Sequence, residues 1–384
     1  MKKIELIATS SAGLEAVVKQ EVVDLGYTNV QVENGKVTYE TDMKGIARSN
    51  LWLRTADRVK LKFGEFKAFT FDELFEKTKA LPWEDILPKN AHFPVLGRSV
   101  KSKLFSISDS QAIVKKAIVE KLKQAYKIDW FPEDGPTYTI EIALHKDVAT
   151  ITLDTSGVGL HKRGYRRLHT EAPMKETMAA ALLLISRWKP NIPLIDPFCG
   201  SGTIPIEAAL IGQNIAPGFN RMFDAEEWSF IPKNVWDEAL EEAEDLAKYD
   251  QKMSIVGSDI DAEAIELSKN NALEAGIGHT ITFKQRDIRQ LSSEHEYGYV
   301  ICNPPYGERL GEKDELAQLY KVMGQVMNRM DTWSSYVFTS YEDFEVKFGK
   351  QASKKRKLYN GNIRCDFYQF FGPRPPKEIL DREL

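Results

Sequence analysis

Cysteine is scarce in this sequence of 384 residues, which contains only Cys199, Cys302 and Cys365. The three are far apart and form no Cys-x-x-Cys pair, so we expect neither a disulfide framework nor a zinc site. The six histidines show no His-x-x-x-His spacing, and no metal site is expected. Because unpaired cysteines are typical of a reducing compartment, the sequence predicts a cytoplasmic protein.

Long apolar runs are also missing. A membrane-spanning helix needs about 20 consecutive apolar residues, and no stretch of the sequence approaches that length. An acid already stands within residues 1–5, which is not typical of a signal peptide. We therefore expect no membrane partner.

An excess of positive charge is the third feature that the sequence lacks. The formal net charge of −4 argues against a uniformly basic nucleic-acid binder. The basic residues are unevenly spread, however, and local clusters can follow an RNA phosphate backbone. The candidate RNA contacts are Arg98, Lys101, Lys103, Lys162, Arg163, Arg166, Lys355 and Arg356. Their alternative interpretation is a set of solvated surfaces.

The amino-terminal half alternates short strands and helices. Up to residue 66 the predicted order is β-α-β-β-α-β, which is the ferredoxin-like pattern, with Asn34-Gly35 as a hairpin turn. A second mixed unit contains a long helix capped by Ser108 or Asp109 and ends in a hairpin of strands near 138–144 and 149–153. The predicted domains are therefore residues 1–66, 67–158 and 159–384.

The carboxy-terminal half alternates long helices with apolar strands. This alternation is typical of an α/β fold with a doubly wound, mostly parallel sheet. Seven strands are predicted, near residues 194–195, 255–258, 281–283, 299–302, 335–339, 357–359 and 366–370.

Residues 195–204 (Ile-Asp-Pro-Phe-Cys-Gly-Ser-Gly-Thr-Ile) join a strand to a helix through a turn of small residues. Glycines in this turn can adopt positive φ and let a ligand approach the backbone, beside unpaired N–H groups of the helix. A dinucleotide fingerprint would need a third glycine where Pro205 stands and an acid about 20 residues later, and a Walker loop would need Gly-Lys-Ser/Thr. Neither is present, so the turn is not predicted to bind phosphate.

Acids at two further strand ends suggest a nucleoside ligand without phosphates. Asp259 can bind two ribose hydroxyls, and Asp287 can accept from an adenine amine, with Ile260 and Ile288 on the two ring faces. Strand ends of an open α/β sheet line one crevice, and the ligand indicated is S-adenosylmethionine. The turn would clamp its methionine end through Asp196, Phe198, Gly200, Ser201, Gly202 and Thr203. Taken singly, each acid could instead be a helix cap.

The predicted fourth strand of this half ends in Asn303-Pro304-Pro305-Tyr306. Asn303 Oδ1 and the Pro304 carbonyl can each accept one N–H of an exocyclic amine, so that its nitrogen lone pair points at the methyl donor. Proline holds its acceptor in place by fixing φ, and Tyr306 can stack on a flipped base. The alternative is a stiff turn without chemistry. The motif predicts an sp² nitrogen as the acceptor and does not identify the base.

The chain resembles the THUMP-domain class I methyltransferases of RNA, and most closely the 23S ribosomal RNA guanine-N2 methyltransferase family. The segments that carry this resemblance are residues 161–166, 172–177, 196–203, 303–309 and 357–361. The resemblance implies a ferredoxin-like and THUMP half that binds structured RNA, and a cofactor contribution from the segment of Pro173, Lys175 and Glu176. One methyltransferase activity is expected, because the second enzyme of the fused members does not follow.

The function expected is methyl transfer to the N2 amine of a guanine, in 23S rRNA or an assembling large ribosomal subunit. Two alternatives remain open. The first is an adenine-N6 methyltransferase acting on RNA or DNA, and the second is a non-catalytic RNA-binding factor of ribosome assembly.

Overall fold

A computed structural model of the chain describes residues 3–166, 174–306 and 313–376. Contacts divide the chain into two compact units, of which the first comprises Met1–Ser10, Val18–Leu160 and Arg221–Glu242. The second comprises Ser11–Val17, His161–Asn220 and Ala243–Leu384. Two short segments therefore belong to the unit on the other side of the predicted boundary at residue 158. Ser11–Val17 belongs to the second unit, and Arg221–Glu242 belongs to the first. The further division of the first unit at residue 66 stays a prediction.

The first unit contains one seven-stranded sheet with the order β2-β3-β1-β4-β7-β6-β5. Neighbouring strands are antiparallel except the parallel pair β5–β6. The strands are β1 (Ile4–Thr9), β2 (Thr28–Glu33), β3 (Lys36–Thr41), β4 (Arg58–Lys67), β5 (Val95–Val100), β6 (Ile140–His145) and β7 (Val148–Asp154). The helices are α1 (Glu15–Asp24), α2 (Met43–Trp52), α3 (Phe71–Lys79) and α4 (Ile107–Tyr126). The predicted β-α-β-β-α-β order of the first 66 residues is confirmed.

Local chemistry explains several of these boundaries. The β2–β3 hairpin turns at Gly35, whose φ is +75°, as the Asn-Gly signal predicted. Thr70 caps α3 by accepting from the backbone of Glu73. Helix α4 begins earlier than expected: Ser106, and not Ser108 or Asp109, accepts from the backbone N–H of Asp109. Each cap satisfies one of the unpaired amides at a helix start.

The second unit is built on a mostly parallel seven-stranded sheet with the order β10-β9-β8-β11-β12-β14-β13. The strands are β8 (Leu194–Asp196), β9 (Ile255–Asp259), β10 (Ile281–Gln285), β11 (Tyr299–Cys302), β12 (Ser334–Thr339), β13 (Lys354–Asn360) and β14 (Ile363–Phe370). Only β14 and its neighbours pair antiparallel. All seven predicted strands are present, and the predicted doubly wound α/β fold is confirmed.

The remaining helices are α5 (Glu176–Ser186), α6 (Thr203–Gly212), α7 (Asn234–Leu246), α8 (Ala262–Glu274), α9 (Lys313–Met327) and α10 (Phe344–Phe348). Helices α5 and α6 are apolar on nearly all sides and their residues are mostly buried, as expected for helices that cover a parallel sheet. In the described part of the chain, no helix is long and apolar enough to cross a membrane.

Candidate active site

The glycine turn lies between β8 and α6, at the carboxyl edge of the parallel strands. The backbone N–H of Cys199 donates to the Ser258 carbonyl over 2.9 Å. The N–H of Gly200 donates to Asp259 Oδ2 over 3.0 Å. These two bonds tie the turn to the end of β9, so that Asp196 and Asp259, which end adjacent strands, share one crevice.

Gly200 and Gly202 both have positive φ, of +50° and +82°, but their surroundings differ. A Cβ on Gly200 would meet open space, which leaves room for a ligand. A Cβ on Gly202 would lie 2.9 Å from Cβ of Ser268 and would press on the ring of Phe283. Gly202 is therefore needed for packing against α8 and β10, and its contact with a ligand stays a prediction.

Asp196 is a buried carboxylate at the end of β8. Its Oδ1 accepts from the backbone of Phe198 over 3.0 Å. Burial, and to a lesser degree the charge of Asp259, raises the pKa of Asp196 well above its ordinary value. A cationic amine beside this carboxyl would stabilise the ionised form again. Asp196 is therefore suited to bind the ammonium group of an amino-acid ligand.

A cavity of about 590 Å³ opens at the same edge of the sheet, a size typical of small-molecule sites. Ile260 and Ile288 line it, and Ile260 is 67% exposed despite its apolar side chain. Asp287 also lines it, with Oδ2 paired to the exposed guanidinium of Arg289 over 2.8 Å. The other lining residues are Pro197, Phe198, Arg286, Arg289, Asp314, Glu315, Gln318, Leu319 and Val322. The cavity thus presents two apolar side chains and the carboxylate of Asp287, which can accept a hydrogen bond from a ligand.

Residues 303–306, here termed the acceptor loop, follow β11, which pairs with β8. In that register Tyr299 and Val300 lie opposite Leu194 and Ile195, so the acceptor loop leaves the sheet at the same edge as the turn that follows β8. Asn303 Oδ1 is buried and has no hydrogen-bond partner among the described residues. Burial raises the pKa of Tyr306 to about 12, so its phenol is neutral at physiological pH and cannot serve as a base. Residues 307–309, which also carried the resemblance, lie outside the described residues.

Two arginines that were predicted to bind RNA lie inside the second unit, which corrects those predictions. Arg163 forms a buried ion pair with Glu207 of α6 at 3.3 Å, and the phenol of Tyr165 donates to the same carboxylate over 3.2 Å. Arg166 is 3.5 Å from Glu176 and donates to the Met174 carbonyl over 3.2 Å. Neither guanidinium is available to a phosphate backbone.

Arg166 also connects two residues that were predicted to bind the cofactor. Its guanidinium donates to the hydroxyl of Thr203 at the start of α6, while Glu176 begins α5. Burial raises the pKa of Glu176, and Arg166 opposes this effect. The side chains of Thr203 and Glu176 therefore both contact Arg166, which links the starts of α6 and α5. The half-buried Lys175 immediately precedes α5. Pro173 lies outside the described residues.

Three family models match the chain one after another. They are the RlmL ferredoxin-like domain at residues 5–60, the THUMP domain at residues 68–154 and the RMKL-like methyltransferase domain at residues 163–369. The last match covers more than half of the chain. The chain belongs to the RMKL-like methyltransferase family.

The relatives of this methyltransferase are similar to it in sequence over almost its whole length. "Putative RNA methyltransferase YpsC" of Bacillus subtilis (strain 168) is 56% identical over 379 residues, which is 98% of each chain. A structure from Listeria monocytogenes, described as a predicted N6-adenine-specific DNA methylase, is 59% identical with a TM-score of 0.93 over 97% of each chain. SMU.472, solved complexed with SAH, is 47% identical with a TM-score of 0.92 over 98% of this chain and all of that one. The cofactor of this methyltransferase is S-adenosylmethionine.

The other basic candidates of the methyltransferase differ in exposure. Arg98, Lys101 and Lys103 are exposed on edge strand β5 and the turn after it, although Arg98 also lies 3.3 Å from Glu141. Lys162 is exposed as well. Lys355 forms an ion pair with Glu345 at 2.7 Å. Arg356 is half-buried and donates to the Gly13 carbonyl over 2.7 Å, and its RNA contact stays a prediction.

Sequence reasoning missed Glu207, and it included Asn360 in a segment of the resemblance without giving it a role. Glu207 is the only charged residue of α6, whose sequence is Thr-Ile-Pro-Ile-Glu-Ala-Ala-Leu-Ile-Gly, and a lone acid in an apolar helix is a signal for a buried ion pair. Asn360 donates to the phenol of Tyr306 over 2.9 Å. No local pattern indicates that contact, because 54 residues separate the partners.

Proposed function

We propose that this methyltransferase transfers a methyl group to the exocyclic N2 amine of a guanine in RNA, specifically in 23S rRNA or an assembling large ribosomal subunit. The observation that carries the proposal is the acceptor Asn303 Oδ1, which follows β11 and is buried without a partner among the described residues. A buried acceptor without a donor is costly, and an amine N–H supplied by the substrate would satisfy it.

The crevice of the second unit fits S-adenosylmethionine, which supplies an electrophilic methyl group on a sulfonium. Asp196 would bind the ammonium group, and Gly200 leaves space for the amino-acid end. Asp259 has a half-exposed carboxylate for the ribose hydroxyls. The adenine would lie between Ile260 and Ile288, with its amine near Asp287, as inferred from the sequence.

Asn303 and the Pro304 carbonyl would orient the substrate amine by accepting its two N–H groups. This arrangement directs the nitrogen lone pair at the methyl group. Alignment of the two reactants then makes the largest contribution to the rate enhancement. No residue needs to remove a proton first, because the amine becomes acidic only when it is methylated. The neutral phenol of Tyr306 is consistent with an aromatic base contact and not with general base catalysis.

RNA is the proposed substrate on three grounds. Residues 68–154 match the THUMP domain, the relative YpsC is named as an RNA methyltransferase, and Arg98, Lys101 and Lys103 form an exposed basic surface. Phosphate contacts from such a surface position an RNA without reading its sequence. The target base must leave its stack to reach a recessed acceptor loop.

Adenine-N6 methylation is the second candidate, favoured by the name of the Listeria monocytogenes relative. Nucleoside mass spectrometry of rRNA from cells with and without the protein separates the two candidates. We expect N2-methylguanosine in 23S rRNA to fall by one site and to return with the wild-type protein but not with Asn303→Ala. Loss of N6-methyladenosine instead would contradict the guanine proposal. An unchanged nucleoside profile, with no cofactor binding by titration, would support the non-catalytic alternative.

We expect the joint change Arg98→Ala, Lys101→Ala and Lys103→Ala to weaken RNA binding and to flatten its salt dependence. Each phosphate contact contributes a slope of about 0.7 to 0.9 in log affinity against log salt, so three lost contacts reduce the slope by about 2 to 3. The measurement is RNA affinity between about 50 and 200 mM salt.

The matched control is Lys248→Ala, Lys252→Ala and Lys350→Ala, which removes three exposed charges outside the proposed surface. Its salt slope should remain that of the wild type. Equal slopes for both triple variants would exclude the β5 surface as an RNA contact.

A further inference from the structure

The acceptor loop is held at its third residue by Tyr320 of α9. The Tyr320 phenol donates to the Pro305 carbonyl over 2.7 Å and lies 3.0 Å from the hydroxyl of Thr339. Thr339 Oγ1 accepts from the backbone N–H of Tyr341 over 3.1 Å, so its own hydrogen is free to point at Tyr320. Each hydroxyl carries one hydrogen, and the chain therefore runs from Thr339 through Tyr320 to Pro305.

Tyr320 has little freedom to move. Its side chain is fully buried, and its ring contacts those of Tyr341 and Phe344 at centroid distances of 4.8 and 5.2 Å. Burial also raises the pKa of its phenol, so the group remains a hydrogen-bond donor. The ring of Tyr320 therefore packs in the core, while its hydroxyl bonds to the acceptor loop.

The loop is held again at its fourth residue, by Asn360. The amide Nδ2 of Asn360 donates to the phenol oxygen of Tyr306 over 2.9 Å. Asn360 ends β13 and pairs with Ile363 across a two-residue connection, in which Gly361 has a φ of +61°. Such tight turns fix the register of a hairpin, and with it the direction of the Asn360 side chain.

The hairpin is supported from behind by the segment Ser11–Val17 of the same unit. Leu14 and Leu358 are buried in one hydrophobic cluster. A Cβ on Gly13 would lie 2.9 Å from the Lys357 carbonyl, which shows how closely the segment approaches β13. Asn360 is therefore mounted on a packed element and not on a free loop.

We propose that Tyr320 and Asn360 are positioning residues, which hold the acceptor loop in the geometry that methyl transfer requires. The two anchors act on Pro305 and Tyr306, while the buried Asn303 Oδ1 has no partner among the described residues and remains available to the substrate. Neither anchor reaches the reacting atoms. The inference rests on the proposed role of Asn303, and it holds for a guanine or an adenine acceptor alike.

The test uses Tyr320→Phe and Asn360→Ala in the full chain, with methyl transfer from labelled S-adenosylmethionine to RNA that the wild type modifies. We expect kcat to fall about tenfold in each variant, because loss of one hydrogen bond lets a reacting group shift from its aligned position. KM for RNA and the affinity for S-adenosylmethionine should stay within about twofold. In the double variant, the fold-decrease in kcat should be smaller than the product of the two single decreases, because both anchors hold the same loop.

Matched controls separate positioning from packing. Tyr341→Phe and Asn362→Ala remove the same groups from neighbouring residues, whose side chains have no hydrogen-bond partner in the described part of the chain, and should keep wild-type kcat. Thr339→Ser retains the hydroxyl next to Tyr320 and should keep most of the activity, whereas Thr339→Val should lose as much as Tyr320→Phe.

Two results would overturn the inference: wild-type kcat in both Tyr320→Phe and Asn360→Ala, or a raised KM with unchanged kcat. Asn303→Ala is measured in parallel. If that variant is fully active, the proposed function of the loop fails; if it is inactive while the anchor variants are normal, only the positioning role fails.

Discussion

Replacing Asn303 by alanine is expected to lower the rate of methyl transfer about 10²- to 10³-fold while leaving the affinity for S-adenosylmethionine within about twofold. The magnitude is that of removing one preorganised polar group that acts on the reacting atoms. Cofactor binding should be retained because the proposed contacts with S-adenosylmethionine come from the turn after β8 and from the ends of β9 and β10. None of them comes from the acceptor loop. Single-turnover methyl transfer and calorimetric titration with S-adenosylmethionine measure the two quantities.

Asn362→Ala is the control for this experiment, since it removes the same side chain from an exposed position in the same unit. It should behave as the wild type in both measurements. An Asn303→Ala variant with full activity would contradict the proposed mechanism. A variant that loses cofactor affinity as strongly as activity would place Asn303 in the cofactor site instead.

The second large effect is expected on stability, from Glu207→Ala. The side chains of Glu207 and Arg163 are 0% and 2% exposed, so removing the carboxylate takes from a buried guanidinium the acid with which it forms this ion pair. Breaking a buried pair in this way typically costs about 3 to 5 kcal/mol. Tyr165 also loses its acceptor. Urea unfolding followed by tryptophan fluorescence should show this loss in the free energy of unfolding.

Two variants make the interpretation of Glu207→Ala specific. Adding Arg163→Met also removes the buried positive charge and should recover much of the stability, because the cost comes from burying that charge without the Glu207 carboxylate and not from the missing bond. Glu266→Ala breaks the exposed pair with Lys269 and should change stability by less than about 1 kcal/mol. A Glu207→Ala variant as stable as Glu266→Ala would contradict the account.

The basic segment around Arg163 shows where sequence patterns stop being informative. Residues 161–166 contain Lys162, Arg163 and Arg166, and clustered positive charge indicates a phosphate surface. The structure exposes Lys162 and buries the guanidinium groups of Arg163 and Arg166. Burial depended on two acids, Glu207 and Glu176, that lie 44 and 10 residues away in the chain. The amino-acid sequence shows which residues are charged but not which of them form ion pairs in the folded chain.

The acceptor loop shows the opposite case. The residue types in Asn303-Pro304-Pro305-Tyr306 were enough to propose an amine acceptor, because the need for two oriented carbonyl oxygens follows from the chemistry of an sp² nitrogen. Its location beside the glycine turn was not predictable, since β11 follows β10 in the chain but pairs with β8 and β12. That crossover places Asn303 and Asp196 at the same edge of two adjacent strands.

By itself the sequence determined the periodicities that make the strands and helices, the ferredoxin-like order, the mostly parallel sheet and the residue types of the acceptor loop, because these depend on neighbours within a few residues. The tertiary structure decided which arginines are buried, why Gly202 is glycine, and that Tyr320 and Asn360 hold the loop. Those outcomes depend on contacts between distant segments, such as Arg356 with Gly13 across 343 residues, and burial and hydrogen bonding are properties of such contacts rather than of local pattern.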